Sequence, residues 1–258
     1  ANRRPSSPAA PRRGRASGKT MSFRNSVTII ASPRPRVGKT LLARLVMDFH
    51  IHEGRAAAAF DLNDGATALA RFAPEHAAKA DISDIKGQMA LFDRLVGDDD
   101  AAKIVDIGHE HFEEFFTQAA RIGLVEEARH RDIASSILFI ATPDRSSIET
   151  YRRLRSRMPL ATLTPAFNEL LGPPQHRDSY PLLGNREPLR FQALAPALRK
   201  YIEQPPFTFA DEQLANASNI PLDGHIELQR WLRRTYAQLR GLENEIDVAR
   251  ITSQIGAN

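Results

Sequence analysis

The 258-residue chain contains no cysteine. This excludes a disulfide scaffold, thiolate zinc sites, iron–sulfur ligation and a cysteine nucleophile. No apolar run approaches the ~20 residues that span a bilayer, and the first residues carry no hydrophobic signal core. Glycine (14) and proline (17) stand at ordinary levels, which excludes collagen-like and wholly disordered classes. A third absence is local. Residues 1–25 hold no acid, while they carry Arg3, Arg4, Arg12, Arg13, Arg15, Lys19 and Arg24. The formal charge of +4 comes from this segment, because the remainder holds 28 basic residues against 31 acidic ones. Its Pro, Ser, Ala and Arg cannot bury enough apolar surface to fold. Residues 1–21 are therefore expected to be a disordered basic tail: either a nucleic-acid-binding arm, or an extension ahead of a natural start at Met21. Residues 22–258 are expected to form one domain, cytoplasmic and without an integral membrane segment.

The hydrophobic fraction of 42% is enough for a buried core. From Ser26 onward short apolar runs alternate with helical patterns. Val27–Ala31 reads as a buried strand and Lys39–His52 as a helix with Leu41, Leu42, Leu45, Val46 and Phe49 on one face. Further runs are Ala56–Phe60, Lys103–Asp106, Ile137–Ala141, Leu160–Phe167 and Leu189–Phe191, with helical stretches near 84–96, 111–122 and 146–157. Strands alternating with helices predict a doubly wound α/β fold, its mostly parallel sheet covered on both faces. Such sheets bind ligands beyond the carboxyl ends of their strands, so the residues after each run are where chemistry is expected. The segment Leu171–Pro188, rich in proline, reads as an ordered loop or insertion.

The first strand runs into Ser32-Pro33-Arg34-Pro35-Arg36-Val37-Gly38-Lys39-Thr40 and then a helix. Gly-Lys-Thr in that setting is the end of a phosphate-binding loop. The helix start directs free N–H groups at an anion, Lys39 reaches the β/γ-phosphates, and the Thr40 hydroxyl ligates Mg²⁺. A second Gly-Lys-Thr at 18–20 has no strand before it and is set aside. The usual loop has a glycine five residues before Gly38, where this chain has Pro33.

The loop instead resembles the deviant phosphate loop of the ParA/MinD family of partition and positioning ATPases, whose run is Lys-Gly-Gly-x-Gly-Lys-Thr. On that pattern Arg34 takes the place of the signature lysine, which in the family reaches across an ATP-bound dimer to the partner's nucleotide. Pro35 and Arg36 replace the two glycines. Phe60-Asp61-Leu62-Asn63-Asp64-Gly65 is similar to the family's Asp-x-Asp segment. Asp61 matches the first aspartate, while Asn63, or Asp64 after a one-residue shift, matches the one associated with orienting the attacking water. The bare residues also read as a turn. Ile104-Val105-Asp106-Ile107-Gly108 resembles the strand whose aspartate holds Mg²⁺ through water. Ala161–Asn168 looks like the strand ending in the asparagine that reads the adenine edge, and an asparagine capping or turning the chain reads equally well.

The resemblance covers roughly residues 26–203 and preserves the order of these features. It implies a P-loop fold that binds ATP and Mg²⁺ through Arg36, Val37, Gly38, Lys39, Thr40 and Asn168, with Thr40 and Asp106 at the metal. Arg34, Asp61, Asn63 and Asp64 would be catalytic, the activity a weak ATPase, and the functional form a homodimer. The function so implied is a nucleotide-dependent switch for partitioning or positioning DNA or a cellular machine, with an unknown protein partner. The alternative is a degenerate member that binds without turnover, suggested by Pro35, Arg36 and Asn63. A neutral amide positions water but does not take its proton.

Other charged groups are read as surface. His109, Glu110, His111, Glu113 and Glu114 include metal-ligating types but have no second ligand group at helical spacing. They are expected to be exposed residues opening a helix. Arg152, Arg153, Arg155 and Arg157 on one helix, and Arg230, Arg233, Arg234 and Arg240 on another, read either as patches for non-specific DNA or as solvated faces with pairs such as Glu149–Arg153. Residues 241–258 carry a net negative charge, which argues against a membrane-docking basic helix. Leu228, Trp231, Leu232, Leu239 and Leu242 are read as packing positions.

Overall fold

The computed structural model describes residues 25–64, 69–172, Tyr180, 187–209 and 220–255, and the side chains up to Val248. The basic tail, Gly65 and most of the Leu171–Pro188 segment lie outside the described residues.

Seven strands form one sheet: β1 (Ser26–Ala31), β2 (Ala57–Leu62), β3 (Ala77–Lys79), β4 (Ala102–Ile107), β5 (Ala134–Ala141), β6 (Thr162–Asn168) and β7 (Leu189–Phe191). Their order is β3-β2-β4-β1-β5-β6-β7. Every pairing is parallel, with Ile30 opposite Asp106 on one side and Leu138 on the other. The fold is thus the doubly wound α/β arrangement. Because β4 and β5 both lie against β1, the connections diverge at β1, where the carboxyl ends of such sheets open a crevice.

The helices are α1 (Lys39–His52), α2 (Leu69–Phe72), α3 (Ile85–Leu95), α4 (Phe112–Arg121), α5 (Leu124–His130), α6 (Arg145–Arg157), α7 (Pro196–Ile202) and α8 (Leu222–Ile255). Side chains alternate across the strands, so the sheet has two cores. Val27, Ile29, Val105, Ile137 and Phe139 face α3 to α6, where Phe112, Phe115 and Phe116 are buried. Ile30, Ile104, Leu138 and Ile140 face α1, α7 and α8. Strands covered on both sides need the near-continuous apolar runs seen in β1, β4 and β5.

Local chemistry sets several boundaries. Asp84 caps α3 by accepting from Gly87 N at 2.6 Å, and Asp144 caps α6 by accepting from Ser147 N at 3.1 Å. Glu113 and Glu114 occupy the first turn of α4, where acids favour the helix dipole. α8 runs 34 residues and buries Leu228, Trp231, Leu232 and Leu239 against the α1 side of the sheet. On α6, Glu149 pairs with Arg145 at 3.3 Å rather than with Arg153, which donates to the Thr150 hydroxyl at 3.2 Å. No helix among the described residues is long and apolar enough to cross a membrane.

Candidate functional site

The loop from Ser32 to Gly38 joins β1 to α1 at the crevice. Arg36 has φ 58° and Gly38 φ 98°, so both are left-handed. A non-glycine residue held there costs roughly 1–2 kcal/mol. The loop therefore keeps a glycine-type backbone turn at Arg36. Arg34, Pro35 and Arg36 are exposed, and Pro35 and Arg36 line a cleft of about 760 Å³. Gly38 is fixed by space as well as by angle: a Cβ would lie 2.8 Å from Asn168 Nδ2. It precedes α1 without any side-chain cap, which leaves the helix's first N–H groups to the cleft.

Lys39 and Thr40 open α1. Lys39 is buried and donates from Nζ to the backbone oxygen of Arg34 at 2.8 Å. Burial lowers its pKa, opposed by the charges of Asp106 and Glu110. The Thr40 hydroxyl donates to Asp106 Oδ2 at 2.7 Å. Asp106, near the end of β4, is fully buried, and its Oδ1 has no hydrogen-bond partner. Burial pushes its carboxyl up to about 7; the Thr40 hydrogen bond opposes this and the Asp61 charge adds to it. A buried carboxylate oxygen without a partner, beside a hydroxyl, is a hard-oxygen donor set that fits Mg²⁺.

The end of β2 is arranged differently. Asp61 is completely buried; its Oδ1 accepts from Asn63 N at 2.9 Å and Asn63 Nδ2 at 3.0 Å, and its Oδ2 accepts from Ala70 N at 2.9 Å. Asn63 also donates from Nδ2 to the Asp106 backbone oxygen at 3.2 Å, and its own carbonyl accepts from Lys79. Asp61 and Asn63 together brace the β2 end against β4 and α2. Asp64 is exposed and pairs with Lys79 at 3.1 Å. Gly108 is confined by backbone, since a Cβ there would meet Leu62 O at 2.8 Å.

Arg34 and Asn168 both have partners within the chain. Arg34 Nη2 donates to Asp144 Oδ1 at 3.1 Å and to the Ser146 hydroxyl at 2.7 Å, reaching over the start of α6. Asp144 is held well below the usual carboxylate range: burial raises it, but hydrogen bonds from Ser146, Thr142 and Arg34 outweigh that. Asn168, at the end of β6, donates from Nδ2 to Val37 O at 3.0 Å and accepts from Leu170 N at 3.0 Å. Two of the four hydrogen-bonding positions of its amide are thereby taken.

The fold supplies a neighbour that the sequence reading lacked for the histidine–acid stretch. Asp64 from the β2 end stands beside Glu110 and His111, with ligand-type atoms of all three within 4.8 Å of one another. The Lys79 ammonium on Asp64 partly neutralises this group.

Arg44 and Arg199, also on the cleft, carried no motif. Arg44 is buried and donates to Ile202 O at 2.7 Å and Phe207 O at 3.0 Å, with its guanidinium 4.0 Å from the Phe72 ring centroid. It clamps α1 to the α7 end, and burial lowers its pKa to about 10. A single arginine between Ala43 and Leu45, inside an apolar stretch, was the signal available for it.

No family model matches this chain, and no curated protein matches it. Among solved structures it is similar to a chain of the MinC:MinD cell division protein complex of Aquifex aeolicus, at 14% identity, covering 81% of this chain and 95% of that one, with a TM-score of 0.45. The fold assignment rests on the strand order and the loop, not on that likeness.

Proposed function

We propose that the chain is a nucleotide-dependent dimerising switch of the ParA/MinD kind, with ATP seated on the β1–α1 loop together with Mg²⁺. It would act in partitioning or positioning DNA or a cellular machine, with a protein partner and non-specific DNA as its contacts. The observation that carries this reading is the Thr40–Asp106 pair, with its unpartnered carboxylate oxygen, next to an uncapped helix start.

Thr40 and Asp106 would hold Mg²⁺, which when bound supplies charge neutralisation to the phosphates. Lys39 would exchange the Arg34 carbonyl for a phosphate oxygen, and the backbone from Arg36 to Thr40 would supply N–H donors. Asn168 would offer the rest of its amide to the base edge. Arg34 would act across the dimer, a role that requires it to leave Asp144 and Ser146. Asp61 would set Asn63, and Asn63 or Asp64 would stand near the attacking water.

One observation favours binding without turnover as a second reading. Among the described residues the three hydrogen bonds to Asp61 come from chain groups and Asn63 is bonded to both Asp61 and Asp106, so the described β2 end presents no unengaged buried carboxylate to the cleft. Calorimetric titration with Mg-ATP, combined with a measurement of molecular size, tests the first reading: saturable binding with dimer formation supports it, and no binding removes it. A phosphate-release assay with Lys39→Ala as control separates the two. Turnover abolished by that substitution excludes the non-hydrolysing reading.

A further inference from the structure

We infer that Arg199 grips the nucleoside half of the ligand and so makes the cleft prefer a nucleotide to a bare polyphosphate; this rests on the reading of the cleft as a nucleotide site. Arg199 lies on α7 and lines the same cleft as Gly38, Lys39 and Thr40. It is half-buried, and its Nε is shut off from solvent without a hydrogen-bond partner. Glu203, the residue just past the end of α7, also lines the cleft, yet no ion pair joins it to Arg199 among the described residues. That nitrogen keeps a donor for a ligand, and among the described residues no hydrogen bond from the rest of the Arg199 guanidinium is made either.

Arg44 is the internal contrast. Its Nε is likewise without a partner, but both of its terminal nitrogens donate to backbone carbonyls and an aromatic ring covers it, so it holds the fold together. Among the described residues the Arg199 guanidinium makes no such hydrogen bond.

Its position selects the part of the ligand it meets. The phosphate end is marked by Lys39, Thr40, Asn63 and Glu110, at the ends of β1, β2 and β4. Arg199 follows β7, three strands from β1 in the opposite direction, a separation of about 14 Å at ~4.8 Å per strand. α7 then returns toward α1, where Ile202 meets Arg44. Between these limits the walls are Leu170, Leu171 and Leu194, with the Asn168 and Gln192 amides beside them. An apolar slot with a few amides and one planar cation suits a sugar and base. The guanidinium fork donates to ring or ribose acceptors and its plane stacks on an aromatic face.

The test is calorimetry on the full chain with Mg-ATP and with Mg-tripolyphosphate, for the unmodified protein and for Arg199→Gln. The unmodified protein is expected to bind ATP more tightly than tripolyphosphate. In the variant, ATP affinity is expected to fall about tenfold with tripolyphosphate affinity unchanged. Equal losses for both ligands, or no loss for ATP, overturn the inference, as does full rescue of ATP binding by Arg199→Lys, which keeps charge but not the planar fork. Arg199 has no side-chain partner among the described residues, so the variant's melting temperature is expected to stay unchanged; a clear fall would mean a packing role and overturn it too. If the unmodified protein binds tripolyphosphate and ATP equally, the nucleoside contact fails and the phosphate loop stands. If it binds neither, the nucleotide reading fails and takes this inference with it.

Discussion

The β1–α1 loop and the end of β2 depart from the ParA/MinD pattern in opposite ways. In the first, side chains differ while the backbone keeps its turn: Arg36 takes a left-handed conformation where the pattern has glycine, and Gly38 still leads into an uncapped helix. In the second, the residue types stay close to the pattern, but their side chains are committed to one another, with Asp61 and Asn63 forming a closed knot against β4 and α2. A function carried by backbone N–H groups survives exchange of side chains. A function carried by a carboxylate does not survive its capture by neighbouring amides. On the proposed reading, the contrast is how this chain would keep an anion site while its hydrolytic apparatus weakened.

The largest expected effect is at the knot. Asp61→Ala leaves the half-buried N–H groups of Asn63 and Ala70 without their acceptor and takes one of two acceptors from the Asn63 side chain, and is expected to cost about 3–5 kcal/mol in urea unfolding. If stability holds and only turnover is lost, Asp61 is catalytic and the contrast collapses. Gly38→Ala comes next. The added methyl meets Asn168 and the residue must hold φ 98°, so about 2–3 kcal/mol of stability should go, along with nucleotide binding by calorimetry.

The third concerns pH. Asp106 is pushed up to about 7, above its unfolded value, so the folded state holds the proton more tightly. Without ligand, this group's contribution to stability is full below about pH 4 and is lost as pH rises through 7. Mg-ATP binding needs the ionised carboxylate, so affinity should climb by up to tenfold per pH unit below 7 and level off above it. Calorimetry in buffers of different ionisation enthalpy should show about one proton released, and Asp106→Asn should abolish both effects. The smallest effect is Arg36→Gly, which relieves the left-handed strain and is expected to raise stability by up to about 1 kcal/mol without loss of binding. A fall in nucleotide affinity would give the Arg36 side chain a part that the loop-versus-knot contrast denies it.

Much of the fold was legible in the sequence because most of its strands are unbroken apolar runs. β1, β4, β5 and β6 appear where Val27–Ala31, Lys103–Asp106, Ile137–Ala141 and Leu160–Phe167 predict them, to within a few residues. β3 went unseen because Ala77–Lys79 is three residues with no apolar run, and its strand state comes from pairing with β2. The short helices α2 and α5 lack enough turns for a periodic signal. For the site, strand-end residues such as Asp106 could be located, but not what their side chains touch. That Arg34 reaches 110 residues along the chain to Asp144, or that Asp64 stands beside Glu110 and His111, depends on strand order. The half-buried placement of Arg199 on the cleft was hidden for another reason: an arginine on a short helix is by default a solvated one.

The Lys39 ammonium resting on the Arg34 carbonyl has a consequence for selectivity. On the nucleotide-site proposal the loop's own oxygen would act as a placeholder, so an arriving anion would enter by exchange rather than by filling a bare positive hole. Chloride or a single phosphate would offer little more than the carbonyl it must evict. A chelating chain of phosphates, engaging lysine and helix amides together, would offer enough to win the exchange.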